Sequence, residues 1–185
     1  MGYMLLVTGG SGSGKSEYAE QRILESGFSL RYYVATMEVF GEEGRKRVEK
    51  HREQRKGKGF ETLEQPHSLH DIISHITKNR NAAILLECLS NLAANELFAK
   101  EENWKEEHEI AKIQKNILND ILELKDQSGF LVVVTNEIFS DGIEYDSSTR
   151  RYQKLLGDLN RELSEKADEV IEVVYGIVCV RKKGE

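Results

Sequence analysis

The chain has 185 residues, 39% of them hydrophobic and 31% charged, with a formal net charge of −6. That composition is of an ordinary globular protein and excludes a disordered one, and the acidic balance argues against general nucleic-acid binding. The length suits one α/β domain spanning 1–185, and the two cysteines, Cys88 and Cys179, have neither disulfide-framework nor zinc spacing, so a reducing cytoplasmic setting is expected.

Short apolar runs alternate with longer amphipathic ones, the pattern of βαβ units around a mainly parallel sheet. Tyr3–Thr8 reads as the first strand and Ser16–Glu25 as the helix after it. The strand is too short to span a membrane. A second strand is expected over Arg31–Thr36, then a highly charged helix from about residue 43 to residue 56, then a weaker strand over Phe60–Leu63. After Pro66, the only proline, Leu69, Ile72, Ile73 and Ile76 have helical spacing. Ala82–Leu86 is an apolar run suited to a strand buried on both faces, and Phe130–Val134 is another. Between them Ile110, Ile113, Ile117, Ile121 and Leu124 mark a long helix. Tyr152, Leu155, Leu156, Leu159 and Leu163 mark a late one, and Val170–Val174 with Ile177–Val180 form a terminal hairpin around Tyr175-Gly176.

Between the first strand and the first helix stands Gly9-Gly10-Ser11-Gly12-Ser13-Gly14-Lys15-Ser16, which satisfies the phosphate-loop pattern G-x-x-x-x-G-K-[ST]. Glycine lets successive backbone N–H groups turn toward phosphate oxygens, and the following helix adds the partial positive charge of its N-terminus. Lys15 is expected to reach the β- and γ-phosphates and the Ser16 hydroxyl to ligate Mg²⁺. Glu87, ending the Ala82–Leu86 run, is the candidate second acidic group near the metal. The fold expected is therefore of the P-loop NTPase type: three layers, a mainly parallel central sheet and a C-terminal hairpin. The loop identifies a nucleoside triphosphate (ATP or GTP) as a substrate and leaves the acceptor open.

Between Arg45 and Lys58 there are eight Lys/Arg and two Glu, and Arg47, His51 and Arg55 are spaced i, i+4, i+8. Such a run is ordinarily a solvated helix face. The alternative is chemical: a neutral imidazole is a nucleophile toward phosphorus, and flanking guanidinium groups both hold phosphate and keep the ring unprotonated. His67, His70, His75 and His108 have no metal-ligand spacing and are expected at the surface.

These residues together resemble the bifunctional adenosylcobinamide kinase/adenosylcobinamide-phosphate guanylyltransferase family of cobalamin biosynthesis. The resemblance is carried by Leu5–Ser16, Tyr33-Val34-Ala35-Thr36, Arg47 to Arg52 with His51, Thr62-Leu63-Glu64, Leu85 to Leu89, Val134-Thr135-Asn136-Glu137, and Arg150, Tyr152, Gly157, Asn160 and Ala167-Asp168-Glu169-Val170. It implies phosphorylation of adenosylcobinamide by a nucleoside triphosphate, then transfer of GMP from GTP through a guanylylated His51, giving adenosylcobinamide-GDP. It further implies that Ala35, Thr36, Met37, Arg52, Glu53, Gln54, Arg55, Glu64 and Glu87 complete the guanine nucleotide site. A homo-oligomer is implied as well, a trimer whose subunit boundary helps form that site. The chain departs from the family over Ile138–Tyr145, where a Gly-x-Gly-[IL]-V-Pro stretch is usual, and at Arg161, where glutamine is usual. These departures bear on the corrinoid-facing surface and the kinase half rather than on the nucleotide site. A P-loop kinase of another small molecule, without the covalent step, is the alternative, and a nucleotide-dependent switch is a third.

Overall fold

The computed structural model describes residues 2–38, 41–42, 44, 49, 53, 56–76, 79–140 and 142–184, with residues 79–80 described by their backbone alone. Seven strands form one sheet: β1 (Tyr3–Thr8), β2 (Leu30–Ala35), β3 (Phe60–Glu64), β4 (Asn79–Glu87), β5 (Ser128–Val134), β6 (Glu169–Val174) and β7 (Ile177–Lys182). Their order is β3-β2-β4-β5-β1-β6-β7, and every neighbouring pair is parallel except the β6–β7 hairpin. The helices are α1 (Lys15–Glu25), α2 (His70–Ile73), α3 (Leu89–Phe98), α4 (Glu101–Lys105), α5 (Glu107–Gln127) and α6 (Ser147–Lys166).

The apolar runs are continuous because the central strands have no solvent face. Side chains alternate across a pleated strand, so Met4 and Leu6 enter one core while Leu5 and Val7 enter the other. Ile84 and Leu86 part from Ala83 and Leu85 in the same way. The first core is closed by α2, α3, α5 and α6, through residues such as Ile72, Leu92, Ile121 and Leu159. The second is closed by Ala19 and Ile23 of α1. This is the expected three-layer architecture with a mainly parallel sheet.

Several residues of the late motifs tie the layers together. Asp168 accepts from the Met4 backbone N–H at 2.7 Å and pairs with the buried Lys125 at 2.9 Å, which joins α5 to the start of β1. Asn160 Oδ1 accepts from the Thr135 hydroxyl at 2.7 Å. Asp146 caps α6 by accepting from the N–H groups of Ser148 and Thr149. Tyr175 (φ 50°) and Gly176 (φ 78°) make the two-residue turn of the terminal hairpin, and positive φ at both positions is what a type I′ turn requires.

Three expectations need correction. The helix after Pro66 is a single turn, although Ile76 is buried beyond its end. Helices α3 and α4 are additional to the elements that the sequence pattern predicts. His67 is half-buried, with Nε2 2.9 Å from Glu38 Oε1, rather than a plain surface residue. The charged helix expected over 43–56 lies largely outside the described residues.

Candidate active site

The loop after β1 wraps the start of α1 at the carboxyl edge of the sheet, where open parallel sheets bind their ligands. One of its glycines, Gly9, is required by close approach. A Cβ on Gly9 would sit 2.4 Å from the Val173 carbonyl and 2.7 Å from Ser13 Oγ. Gly14, at φ 93°, precedes α1 in the left-handed region that glycine adopts freely. No side chain caps α1, so its first N–H groups stay available to an anion. Ser13 Oγ is buried and, among the described residues, has no hydrogen-bond partner. A buried hydroxyl without a partner is costly unless a ligand supplies one, and a phosphate oxygen does.

Lys15 is buried, and its Nζ donates back to the Gly10 carbonyl at 2.9 Å. Burial lowers the ammonium pKa, while nearby Cys88 and Glu87 pull it the other way. Glu87 ends β4, two strands from β1. Its Oε1 accepts from the Ser16 hydroxyl and its Oε2 from the Tyr33 hydroxyl at 2.9 Å. Strand register aligns Ala35 with both Glu87 and Glu64, so three of the expected nucleotide-site residues lie side by side across β4, β2 and β3. Thr36 is fully buried and its hydroxyl exchanges hydrogen bonds with the Cys88 backbone, donating to its carbonyl and accepting from its N–H, each at 2.7 Å. Its side chain therefore joins β2 to β4. Met37 is half-buried and Glu53 is exposed. His51, Arg47, Arg52, Gln54 and Arg55 lie outside the described residues.

A cavity of about 470 Å³ opens beside the loop, between Gly12–Ser16, Glu17 and Glu20 of α1, and Lys58. Lys58 pairs with Glu20 at 2.5 Å, and its carbonyl accepts from the Arg31 guanidinium at 3.0 Å. Sequence reasoning singles out neither Lys58 nor Tyr33 as a site residue. Tyr33 sits inside a buried strand and reads as core, and Lys58 is one cation in a crowded basic run.

A buried lysine inside a glycine loop, set between a parallel strand and an uncapped helix, defines a P-loop nucleotide-binding protein. Solved structures agree on the fold: one described as an ATPase domain superposes with a TM-score of 0.54 at 14% identity, covering 98% of this chain and 77% of that one. A structure from Pyrococcus horikoshii OT3 gives 0.54 at 10% identity, covering 100% and 88%.

Residues 5–180 match the family described as cobinamide kinase / cobinamide phosphate guanyltransferase, and the chain belongs to that family. It is 32% identical over 179 residues to the bifunctional adenosylcobalamin biosynthesis protein CobU of Escherichia coli (strain K12), covering 94% of this chain and 97% of that protein. It is 33% identical to the protein of the same name from Salmonella typhimurium over the same shares. Against the bifunctional adenosylcobalamin biosynthesis protein CobP of Pseudomonas aeruginosa the identity is 27%, over 93% of each chain. Among the described residues no helix is long and apolar enough to cross a membrane.

Proposed function

We propose that this protein phosphorylates cobinamide with a nucleoside triphosphate and then transfers GMP from GTP to cobinamide phosphate. The observation that carries the reading is the phosphate loop itself, with Lys15 drawn into it and Ser16 bonded to Glu87, in a chain of this family. In the first reaction the substrate hydroxyl oxygen bonds to the γ-phosphorus, and the bond to the bridging oxygen breaks. The loop amides, the α1 N-terminus and Lys15 stabilise the charge on the phosphoryl oxygens.

In the second reaction the neutral imidazole of His51 bonds to the α-phosphorus of GTP and pyrophosphate leaves. An oxygen of cobinamide phosphate then takes the guanylyl group and the nitrogen–phosphorus bond breaks. Two displacements replace one difficult one. Ala35, Thr36, Met37, the Arg52–Arg55 segment, Glu64 and Glu87 are assigned to the guanine nucleotide. Ser16 and Glu87 fit Mg²⁺: the Ser16 hydroxyl and Oε1 of Glu87 meet beside the phosphate loop and offer two protein oxygens to a hard cation. Mg²⁺ takes one or two protein oxygens and completes its octahedron from phosphate and water. When bound, it neutralises charge on the phosphate oxygens.

We assign the reactions to the cytoplasm, where nucleoside triphosphates are supplied, and to a homo-oligomer, a trimer with the nucleotide site near the subunit boundary. The exposed apolar side chains of the β6–β7 hairpin, beside the phosphate loop, support an oligomer.

Incubation with GTP radiolabelled at the α-phosphorus tests the covalent step. The expected result is acid-labile, alkali-stable label on the wild-type protein and none on His51→Ala, which keeps cobinamide phosphorylation. Unlabelled wild-type protein that still phosphorylates an acceptor overturns the histidine mechanism and leaves a plain kinase.

A further inference from the structure

A second cavity, of about 660 Å³, adjoins the phosphate loop on its other flank. The nucleotide cavity lies along α1, which covers the second core, whereas this one lies along Thr149, Tyr152 and Gln153 of α6, which covers the first. Ser11 lines one cavity and Gly12 the other, so the crest of the loop separates them by a single peptide unit. A phosphoryl group held on that crest is reachable from both sides.

We propose that this second cavity receives the alcohol arm of the phosphoryl acceptor and that Glu137 is the general base that takes its proton. The inference rests on the kinase half of the activity proposed above. Position is the first argument. The Glu137 backbone N–H donates to the Gly9 carbonyl at 3.1 Å, which pins the residue beside the start of the phosphate loop. Its Oε1 accepts from the Phe139 N–H at 2.8 Å and the Ser140 hydroxyl at 2.9 Å. Among the described residues nothing bonds Oε2, so one carboxylate oxygen is oriented and the other is available.

Charge is the second argument. Among the described residues Glu137 is the only carboxylate lining the cavity, and neither lysine nor arginine lines it. A second phosphate cradle would need cations or open helix amides; this wall of hydroxyl, amide and aromatic groups suits a neutral alcohol on an amide-edged molecule. Phe139, 44% exposed and set between the lining residues Ile138 and Ser140, gives an apolar surface beside the mouth for the bulk of such a substrate.

Rigidity is the third. Asn136 Nδ2 donates to Ser90 Oγ at 2.5 Å, the Tyr152 hydroxyl to the Ser90 carbonyl at 3.1 Å, and Gln153 Nε2 to the Ile138 carbonyl at 3.3 Å. The Phe139 ring packs over Gly157 of α6, 3.6 Å from where a Cβ would stand. The cavity wall is thus bonded to α3 and α6, as a positioned catalytic group requires. In the step itself, the acceptor O–H proton passes to Glu137 as the oxygen bonds to the γ-phosphorus. The electron pair of the breaking bond leaves with the nucleoside diphosphate, and Glu137 later gives its proton to water.

Steady-state phosphorylation of cobinamide by Glu137→Gln, Glu137→Ala and Thr149→Phe tests the proposal. Wild-type protein that fails to phosphorylate cobinamide removes the kinase reading and this inference with it. With an active wild type, Glu137→Gln should lose about 100-fold or more in kcat, with KM for the nucleotide changed about twofold or less. Added formate should restore part of the kcat of Glu137→Ala, which a structural role does not allow. Thr149→Phe fills the cavity and should raise KM for cobinamide about tenfold or more. A kcat kept by both Glu137 variants overturns the base assignment, and an unchanged cobinamide KM in Thr149→Phe overturns the site.

Discussion

The Ser16 hydroxyl donates to Oε1 of Glu87, a contact between residues 71 positions apart that joins the first turn of α1 to the end of β4. The strands that lead to them, β1 and β4, flank β5 in the sheet order, so only the parallel topology brings the two residues together. Tyr33 bonds the other carboxylate oxygen and so fixes the rotation of the carboxyl group.

From this pair follows a metal-dependence prediction. Glu87→Gln keeps the shape and loses the charge that draws a divalent cation to the hydroxyl. The Mg²⁺ concentration giving half-maximal phosphoryl transfer should rise about 10- to 100-fold, the range seen when groups that orient metal ligands are changed. Tyr33→Phe, which leaves the charge in place, should shift it less. A Mg²⁺ titration of both variants decides the matter; an unaltered midpoint in Glu87→Gln removes that residue from the metal site.

Lys15 carries a prediction about pH. Burial destabilises its charged form, so its pKa lies below the ordinary 10.5. The protonated ammonium is the form that binds triphosphate, and it predominates below the lowered pKa. Nucleotide affinity should therefore begin to fall, as pH rises, at a value below 10.5. Binding titrations from neutral to alkaline pH will reveal the bend. Lys15→Ala should bind weakly and lack it, whereas a bend that persists in that variant belongs to another group.

What can be read from residues alone follows from burial and local chemistry. β1, β4 and β5 are plain because their stretches covered on both faces, such as Ala82–Leu86 of β4, are continuously apolar, and the phosphate loop because its glycines answer to backbone geometry within eight residues. Helix α3 escapes notice because it starts directly after β4, at Leu89, with no capping side chain and with Ser90 and Asn91 in its first turn. The segment after Pro66 reads as a longer helix because Ile76 keeps the apolar spacing, yet Ile76 is buried outside the helical turn. Glu87 is legible as a carboxylate ending a buried strand. Glu137 is visible only as part of a motif, because its place beside Gly9 depends on β5 pairing with β1, a contact no local pattern encodes.

The terminal hairpin bears on assembly. β7 is an edge strand, and an edge offers unpaired backbone groups to another chain unless charge or covering structure blunts it. Here Val178 is 43% exposed and Val180 52%, two apolar side chains on one face of an open edge. The same turn touches the nucleotide site, since the Gly176 N–H donates to the Ser13 carbonyl at 2.8 Å. Subunits meeting through this hairpin would bury its apolar side chains and steady the phosphate loop in one event. Val178→Glu with Val180→Glu puts two like charges on one face of β7 while leaving the β6–β7 backbone ladder intact. Light scattering should report an oligomer for the wild-type protein and a monomer for this variant, and triphosphate affinity should fall with the loss of the neighbour. A monomeric wild type removes the proposed assembly, and an oligomer that survives the substitutions places the subunit contact on another surface.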